Sequence, residues 1–402
     1  MSRRYDFVLF GATGFTGRLT ALYLAQHAPP QARWALAGRS ADKLKKILAE
    51  VSARQPAGAT PVEVVVANVQ DAQALRTVAE SARVIVTTVG PYILHGEPLV
   101  AACAAAGTHY LDLTGEPEFV DTMWMRHHDE AARTGAKLVH ACGFDSIPHD
   151  LGAYFTVQQL PRNVPIRMHA YVSARGTFSA GTFHSAVHAM SRMRSMARAA
   201  HERTRAEMER AAKGAESAAG AGKRRVAATP EGLHRPRALP GWWALPMPTI
   251  DPQIVKRSAR ALDVYGPDFR YGHYLGLPKL RQVLGLSVGL GALLLMSQVP
   301  PLKNWLLSRK ASGEGPDEAR RAKSSFCVTF DAEGGGRRVL ARVTGGDPGY
   351  GETSKMLAES TLCLAFDELP AVAGQVTTVQ AMGDALLRRL QAAGIGFEVV
   401  KA

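Results

Sequence analysis

Over the first 150 residues the apolar positions switch repeatedly between two spacings. Short apolar runs, most of them rich in Val, Ile and aromatics, occur at 5–10 (YDFVLF), 34–37 (WALA), 62–67 (VEVVVA), 83–89 (RVIVTTV), 108–113 (THYLDL) and 137–141 (KLVHA). Between them, apolar residues recur at helical spacing over 17–27, 41–52, 72–80, 96–106 and 118–134. The runs predict strands and the intervening windows predict helices. Strict alternation of the two predicts a parallel sheet covered on both faces, the Rossmann-like doubly wound α/β class. From residue 151 the pattern changes. PIRMHAYVSAR (165–175) alternates as an antiparallel strand does, and further strands are predicted at 324–333, 337–345 and 396–400, with helices at 352–366 and 377–393. The expected organisation is a Rossmann domain over 1–150 and an α+β domain over 151–402.

Two stretches of the second half fit neither spacing. Residues 190–240 begin as a charged helix (RMRSMARAAHERTRAEMER) and decay into Ala, Gly, Lys and Arg, which predicts a helix followed by a mobile basic loop. Residues 283–296 (VLGLSVGLGALLLM) carry no charge. As a helix, that run reaches about 21 Å at 1.5 Å per residue, short of the ~30 Å hydrocarbon core of a bilayer. It is expected either in the core or lying on a membrane surface, beside Lys279, Arg281, Lys303 and Arg309.

Charge sharpens the division. The chain has 48 basic and 35 acidic residues, a net +13, but residues 1–150 hold 14 of the former and 15 of the latter. The first half is neutral, and the excess lies after residue 150. A small ligand suits the first half and an anionic surface the second. Nucleic acid is not expected, because the basic region has few interleaved aromatics and no known module. The four cysteines (103, 142, 327 and 363) form no CxxC pair. With no secretory pattern at the start, they indicate a reduced cytoplasmic protein.

The chemistry is densest at FVLFGATGFTGRLT, where Gly11, Gly14 and Gly17 follow a strand and open a helix. Glycines there let the backbone approach a pyrophosphate, and the helix start offers free N–H groups. The cofactor-binding set is therefore Gly11, Ala12, Thr13, Gly14, Phe15, Thr16 and Gly17. The second strand ends in Gly38, Arg39 and Ser40 where an NAD site would carry an acid. A guanidinium matches a 2′-phosphate, so NADP(H) is expected, with Arg39 and Ser40 as contacts. The loop after the fourth strand adds Val89, Gly90 and Pro91.

Two further loops leave the same sheet edge, DLTGEPEF and ACGFDSIPHDLG. No lysine has a tyrosine four residues before it, which excludes the Tyr-x-x-x-Lys pair of short-chain dehydrogenases. Acid candidates on the loops are Tyr92, His95, Glu116, Asp145 and His149, of which Tyr92, Asp145 and His95 are placed in the catalytic set. His184 and His188 stand one helical turn apart without a third ligand, so no metal is expected.

Taken together, YDFVLFGATGFTG, WALAGRS, TTVGPY, HGEPLVAACAAAGTHYLDLTGE, CGFDSIPHDLG, FSAGT (178–182), GDPGYGETSKML (346–357) and MGDALLRRL (382–390) resemble the saccharopine dehydrogenase-like oxidoreductases. Within these the likeness is to the bacterial trans-acting enoyl reductase group, and it spans nearly the whole chain. The resemblance implies a Rossmann domain with a second α+β domain, a nicotinamide cofactor and reduction of a carbon–carbon double bond in a lipid-like or polyketide-type small molecule. A saccharopine-type amino-acid dehydrogenase and a non-catalytic nucleotide-binding protein at a lipid surface stand as alternatives. Peripheral contact with the inner membrane face and a homodimer are compatible with all three.

Overall fold

The computed structural model describes residues 3–176, 187, 190–217, 224–308 and 316–401. Seven parallel strands form the first sheet in the order β13-β6-β5-β4-β1-β2-β3. They are β1 Tyr5–Phe10, β2 Trp34–Gly38, β3 Glu63–Val66, β4 Ala82–Thr87, β5 His109–Leu111, β6 Lys137–Val139 and β13 Gly374–Val376. Its helices are α1 Phe15–His27, α2 Ala41–Ser52, α3 Ala72–Ser81, the short α4 Tyr92–His95, α5 Glu97–Ala106 and α6 Pro117–Thr134. The two-residue period of β1 divides the core. Phe7 and Leu9 join the cluster on the side of α1 and α2, and Val8 and Phe10 join the cluster on the side of α3, α5 and α6. Ser40 and Asp71 cap α2 and α3 through their side-chain oxygens, supplying acceptors that the first turn lacks.

α7 (Ile147–Val157) leads into the second sheet, ordered β14-β12-β11-β7-β10-β8 with β9 antiparallel to β10. Its strands are β7 Ile166–Arg175, β8 Arg225–Ala228, β9 Trp243–Pro246, β10 Asp268–Leu277, β11 Ser325–Gly334, β12 Arg337–Gly345 and β14 Gly396–Lys401. Its helices are α8 Met193–Ser217, α9 Asp251–Ala261, α10 Leu280–Gln298, α11 Pro300–Ser308, α12 Glu318–Arg321, α13 Gly351–Phe366 and α14 Thr378–Ala392. Ile166, Val328, Phe330 and Val343 of this sheet belong to the same buried cluster as Leu9 and Leu24. One core therefore runs continuously from the first sheet into the second.

Three expectations need correction. The boundary at residue 150 fails because α13 packs on α1 and β13 adds a seventh strand beside β6. Gly374 N donates to Ala136 O at 2.8 Å, and Gln375 N to His128 Nδ1 at 3.0 Å. A three-residue strand is too short to be read from its own pattern. The mobile loop over 190–240 is also wrong in part, since β8 is paired along β10 from Arg225↔Asp268 to Ala228↔Tyr271. The apolar run is longer than 283–296 and is not a core helix. α10 covers 19 residues and only Val283 and Ser297 are buried. The motif at 178–182, His184 and His188 lie outside the described residues.

Gly152, in the middle of α7, faces the second sheet so closely that an added Cβ would stand 2.4 Å from Phe330 Cε2 and 2.8 Å from Val343 Cγ2. On an exposed helix, Gly→Ala gains about 1 kcal/mol. Here overpacking reverses the sign. Gly152→Ala should lower the unfolding free energy by about 1–3 kcal/mol in urea denaturation, and a gain would refute close packing of α7 on β11 and β12.

Candidate functional site

The glycine turn sits at the carboxyl ends of three adjacent strands. β1 lies between β2 and β4, so residues following each of them meet there. Gly11 N donates to Ala37 O at 3.1 Å, and Thr88 Oγ1 donates to Gly11 O at 3.2 Å. This brings Gly11–Gly17, Arg39–Ser40 and Val89–Gly90–Pro91 together, as the sequence predicts. Each glycine has its own requirement. Gly11 has φ +83°, where side chains are strained. A Cβ on Gly17 would stand 2.1 Å from Gly11 O, inside the turn itself. Gly14 is exposed, and the nearest atom to an added Cβ is 3.4 Å away. Ala12 is buried, Thr13 is exposed, and no side chain caps α1 at Gly14. The first turn thus leaves N–H donors toward open space, and a pyrophosphate fits there.

Arg39 is exposed and makes no ion pair with any described residue. No carboxylate competes for it, so it can hold a 2′-phosphate. Ser40 has another task, since its Oγ accepts from Lys43 N at 3.5 Å. The cradle also draws on the far end of the chain, which the sequence reading missed. Phe15 stacks edge-on against Tyr350, with centroids 4.8 Å apart, and Ser354 Oγ donates to Thr16 O at 3.3 Å. Asp347 shapes that loop by accepting from Gly349 N at 3.2 Å and Gly351 N at 3.0 Å. GDPGYG held the signal, a glycine loop before a helix, but its distance from residue 11 along the chain hid the partnership.

The proposed acids separate. Tyr92 is corrected to a structural role: it is buried, its hydroxyl donates to Thr87 O at 3.1 Å and accepts from Leu113 N at 3.2 Å. Burial, with Asp112 nearby, raises its pKa well above the usual value, so the phenol keeps its proton. Glu116 caps α4, accepting from Tyr92 N at 3.2 Å and Ile93 N at 2.8 Å. His95 is half-buried at the end of α4, and its side chain makes no hydrogen bond to a described residue.

Asp145 differs from these. It is half-buried between two loops, with Oδ2 2.9 Å from where a Cβ on Gly115 would lie. Desolvation pushes its pKa up to about 6. Behind it three elements bring together His149 of α7, Asp251 of α9 and His273 of β10, all buried. His149 Nε2 is 3.5 Å from Asp251 Oδ1, and His273 Nε2 is 3.5 Å from Asp251 Oδ2. Tyr271 OH lies 3.2 Å from His273 Nδ1, and Thr249 Oγ1 donates to Asp251 Oδ2. His149 Nδ1, Asp251 Oδ1 and His273 Nε2 are buried without a hydrogen-bond partner.

Burial favours the neutral form of each group. It raises Asp251, reinforced by the charge of Asp145, and it lowers His149, reinforced by His273. It pulls His273 down to about 3. The trio is the one group of described His, Cys, Asp or Glu residues whose donor atoms all lie within 4.8 Å of one another, a donor set that suits a borderline divalent cation. No spacing in the sequence announces it, because residues 149, 251 and 273 come from separate elements.

The family described as "Saccharopine dehydrogenase NADP binding domain" matches residues 7–140, which is β1 to the end of β6. A Mycobacterium ulcerans protein named trans-acting enoyl reductase is 34% identical over 418 residues, covering 98% of this chain and 97% of that one. A Mycobacterium tuberculosis protein, assigned provisionally to the same group by its name, is 37% identical over 426 residues, covering 99% and 98%. The chain belongs to the trans-acting enoyl reductase family. It is an NAD(P)-dependent oxidoreductase with an NADP-binding Rossmann domain. Among solved structures, apo saccharopine dehydrogenase (L-Glu forming) from Saccharomyces cerevisiae superimposes over 99% of this chain and 100% of that one, with a TM-score of 0.57 and 10% identity. That likeness shows a shared fold. In this enoyl reductase family member, the match to the NADP-binding domain ends before Asp145, His149, Asp251 and His273.

Gly14 and Gly17 make separable predictions. Gly14→Val should fold normally and lose nucleotide binding, because its side chain would fill the anion space. Gly17→Val should lose stability first, because the turn itself is blocked. Thermal melting and fluorescence titration with NADPH distinguish them; normal NADPH affinity in folded Gly14→Val would refute the placement.

Proposed function

We propose that this chain reduces a carbon–carbon double bond in a long-chain acyl or polyketide-type substrate, with NADPH as the reductant. The observation that carries the reaction class is identity over nearly the full chain to proteins named trans-acting enoyl reductases. When bound, the cofactor supplies a hydride to the β-carbon of the conjugated double bond. The chain's own residues do the rest. The Gly11–Gly17 turn holds the pyrophosphate, Arg39 the 2′-phosphate, and Val89–Pro91 line the side of the turn nearest the catalytic loops. Asp145 delivers a proton to the α-carbon, where the π pair becomes a C–H bond. Its carboxylate then recovers a proton from solvent, to which the half-buried side chain is open. A carboxyl group poised near pH 6 gives up a proton more readily than the buried Tyr92 phenol.

The amino-acid dehydrogenase reading is less favoured. It requires guanidinium groups to hold substrate carboxylates, whereas the groups that the structure sets against Asp145 are the Gly115 backbone and the buried Asp251.

Two predictions follow from the assigned roles. Asp145→Asn should lower kcat about 10²- to 10⁴-fold without changing NADPH affinity. Wild-type kcat should be flat below about pH 6 and fall above it, as the acid loses its proton. Stability gives a second readout. A carboxyl raised from 3.8 to about 6 stabilises the fold below pH 3.8, and that contribution is lost as pH rises through 6. Asp145→Asn should therefore be more stable than wild type at pH 8 and gain little at pH 4. Unaltered turnover in this variant would remove Asp145 from the mechanism.

Arg39→Ala should weaken NADPH at least tenfold, about 1.4 kcal/mol, and leave NADH unchanged. Equal losses for both cofactors would place Arg39 away from the 2′-phosphate.

A further inference from the structure

α10 and α11 present an unusual surface. α10 has a mean hydropathy of 1.5 over an 18-residue window, of which 11% is buried. Leu284, Val288 and Leu295 are 59%, 73% and 71% exposed. At 100° per residue these three share one face, while Leu290, also exposed, points to the opposite side. Gly285, Gly289 and Gly291 have no atom within 4 Å of an added Cβ. α11 contacts α10 and adds exposed Leu302 and Trp305, with Val299 exposed at the turn between them. The hairpin is rooted where α10 meets β9 and β10, and Gln298 Nε2 donates to Met190 O at 2.8 Å.

We infer that this helical hairpin is a monotopic anchor that embeds in one leaflet of an anionic lipid bilayer. A protein partner would cover one face of α10, whereas hydrocarbon covers every side that α11 and the sheet leave bare. The flanks match anionic headgroups: Lys279, Arg281 and Lys303 are the charged residues from 271 to 308, and no Asp or Glu occurs there. Trp305 suits the interface. Nineteen residues give about 28 Å, close to the ~30 Å hydrocarbon thickness, but the chain enters from β10 and returns to β11 of the same sheet. Between α11 and β11 the sequence RKASGEGPDEARRAK (309–323) is too charged to cross back. The hairpin therefore lies within one leaflet and does not span the bilayer.

The test is co-flotation of the full chain with vesicles of phosphatidylcholine and phosphatidylglycerol, compared with phosphatidylcholine alone. Wild type should float with the anionic vesicles, several-fold less with neutral ones, and be only partly released by high salt. Leu284→Ser, Val288→Ser, Leu290→Ser and Leu295→Ser combined should cut flotation at least tenfold on both, with unchanged melting temperature and NADPH affinity. These side chains are exposed, so the fold does not depend on them. Lys279→Glu, Arg281→Glu and Lys303→Glu combined should abolish the anionic preference. Absence of wild-type flotation overturns the inference, as does flotation that survives the four serines. A wild-type dimer in lipid-free buffer that the serines convert to a non-floating monomer, with no wild-type flotation, assigns the surface to a second copy. Asp145→Asn should float as wild type does, so the fate of the reaction and that of the anchor are read separately.

Discussion

The buried carboxylate of Asp112 holds the carboxyl edge of the first sheet in shape. Its Oδ1 accepts from Thr114 N at 3.0 Å and Ala141 N at 2.9 Å, and its Oδ2 lies 2.6 Å from His140 Nδ1. Its own carbonyl accepts from Cys142 N at 2.7 Å. One residue at the end of β5 thus organises its own loop and the loop after β6. Ala141 sits at φ 60°, a conformation a non-glycine residue adopts at some cost. Its N–H bond to Asp112 offsets that cost, and each buried donor left without such an acceptor would cost about 1–3 kcal/mol. Asp145 stands four residues further on, in a backbone direction set by this contact. Its placement against Gly115 follows because both loops answer to the same carboxylate.

The second constraint is the return of the C-terminal chain. α13 packs on α1, and Tyr23 OH donates to Glu359 Oε1 at 2.8 Å across them. At the upper end Thr353 Oγ1 accepts from Phe144 N at 3.2 Å, next to Asp145. The segment 346–353 therefore touches both the glycine turn and the loop after β6. The glycine turn and the Asp145 loop are registered by one segment that lies more than three hundred residues from the first along the chain and some two hundred from the second. This explains why the two halves share one buried cluster instead of meeting at a loose interface.

Local features of the chain were legible, and non-local ones were not. β1 to β6 and their helices appear within a few residues of their predicted limits because each depends on its own apolar period. The glycine turn was readable for the same reason: strand, turn and helix are contiguous. β13 carries three residues and owes its existence to the free edge of β6. α9 and β10, at 251–277, had no predicted element, although they supply Asp251 and His273. Tyr92 was misassigned because its loop position was visible and its two hydrogen bonds were not. Asp145 was visible as a residue type on a loop, but its raised pKa depends on a desolvated site built from both sheets.

β10 links the two least typical regions of the molecule. His273 occupies its middle, within the polar trio, and the same strand ends at Leu277, three residues before α10 begins. From His273 to Leu280 is seven residues, about 23 Å at ~3.3 Å per residue. A strand paired on both sides along its length, to β7 and to β8 and β9, is a stiff connection. It fixes the apolar hairpin at a set distance from His273 and the polar trio instead of leaving it on a free tether. The reach of one extended acyl chain is of that order. Under the proposed reaction and the inferred anchor together, a substrate keeps its tail in hydrocarbon while its reactive end meets the Asp145 carboxyl group. Charge distribution agrees with this division of labour. The neutral first half carries the NADP-binding domain, and the basic excess lies in the half that carries the hairpin.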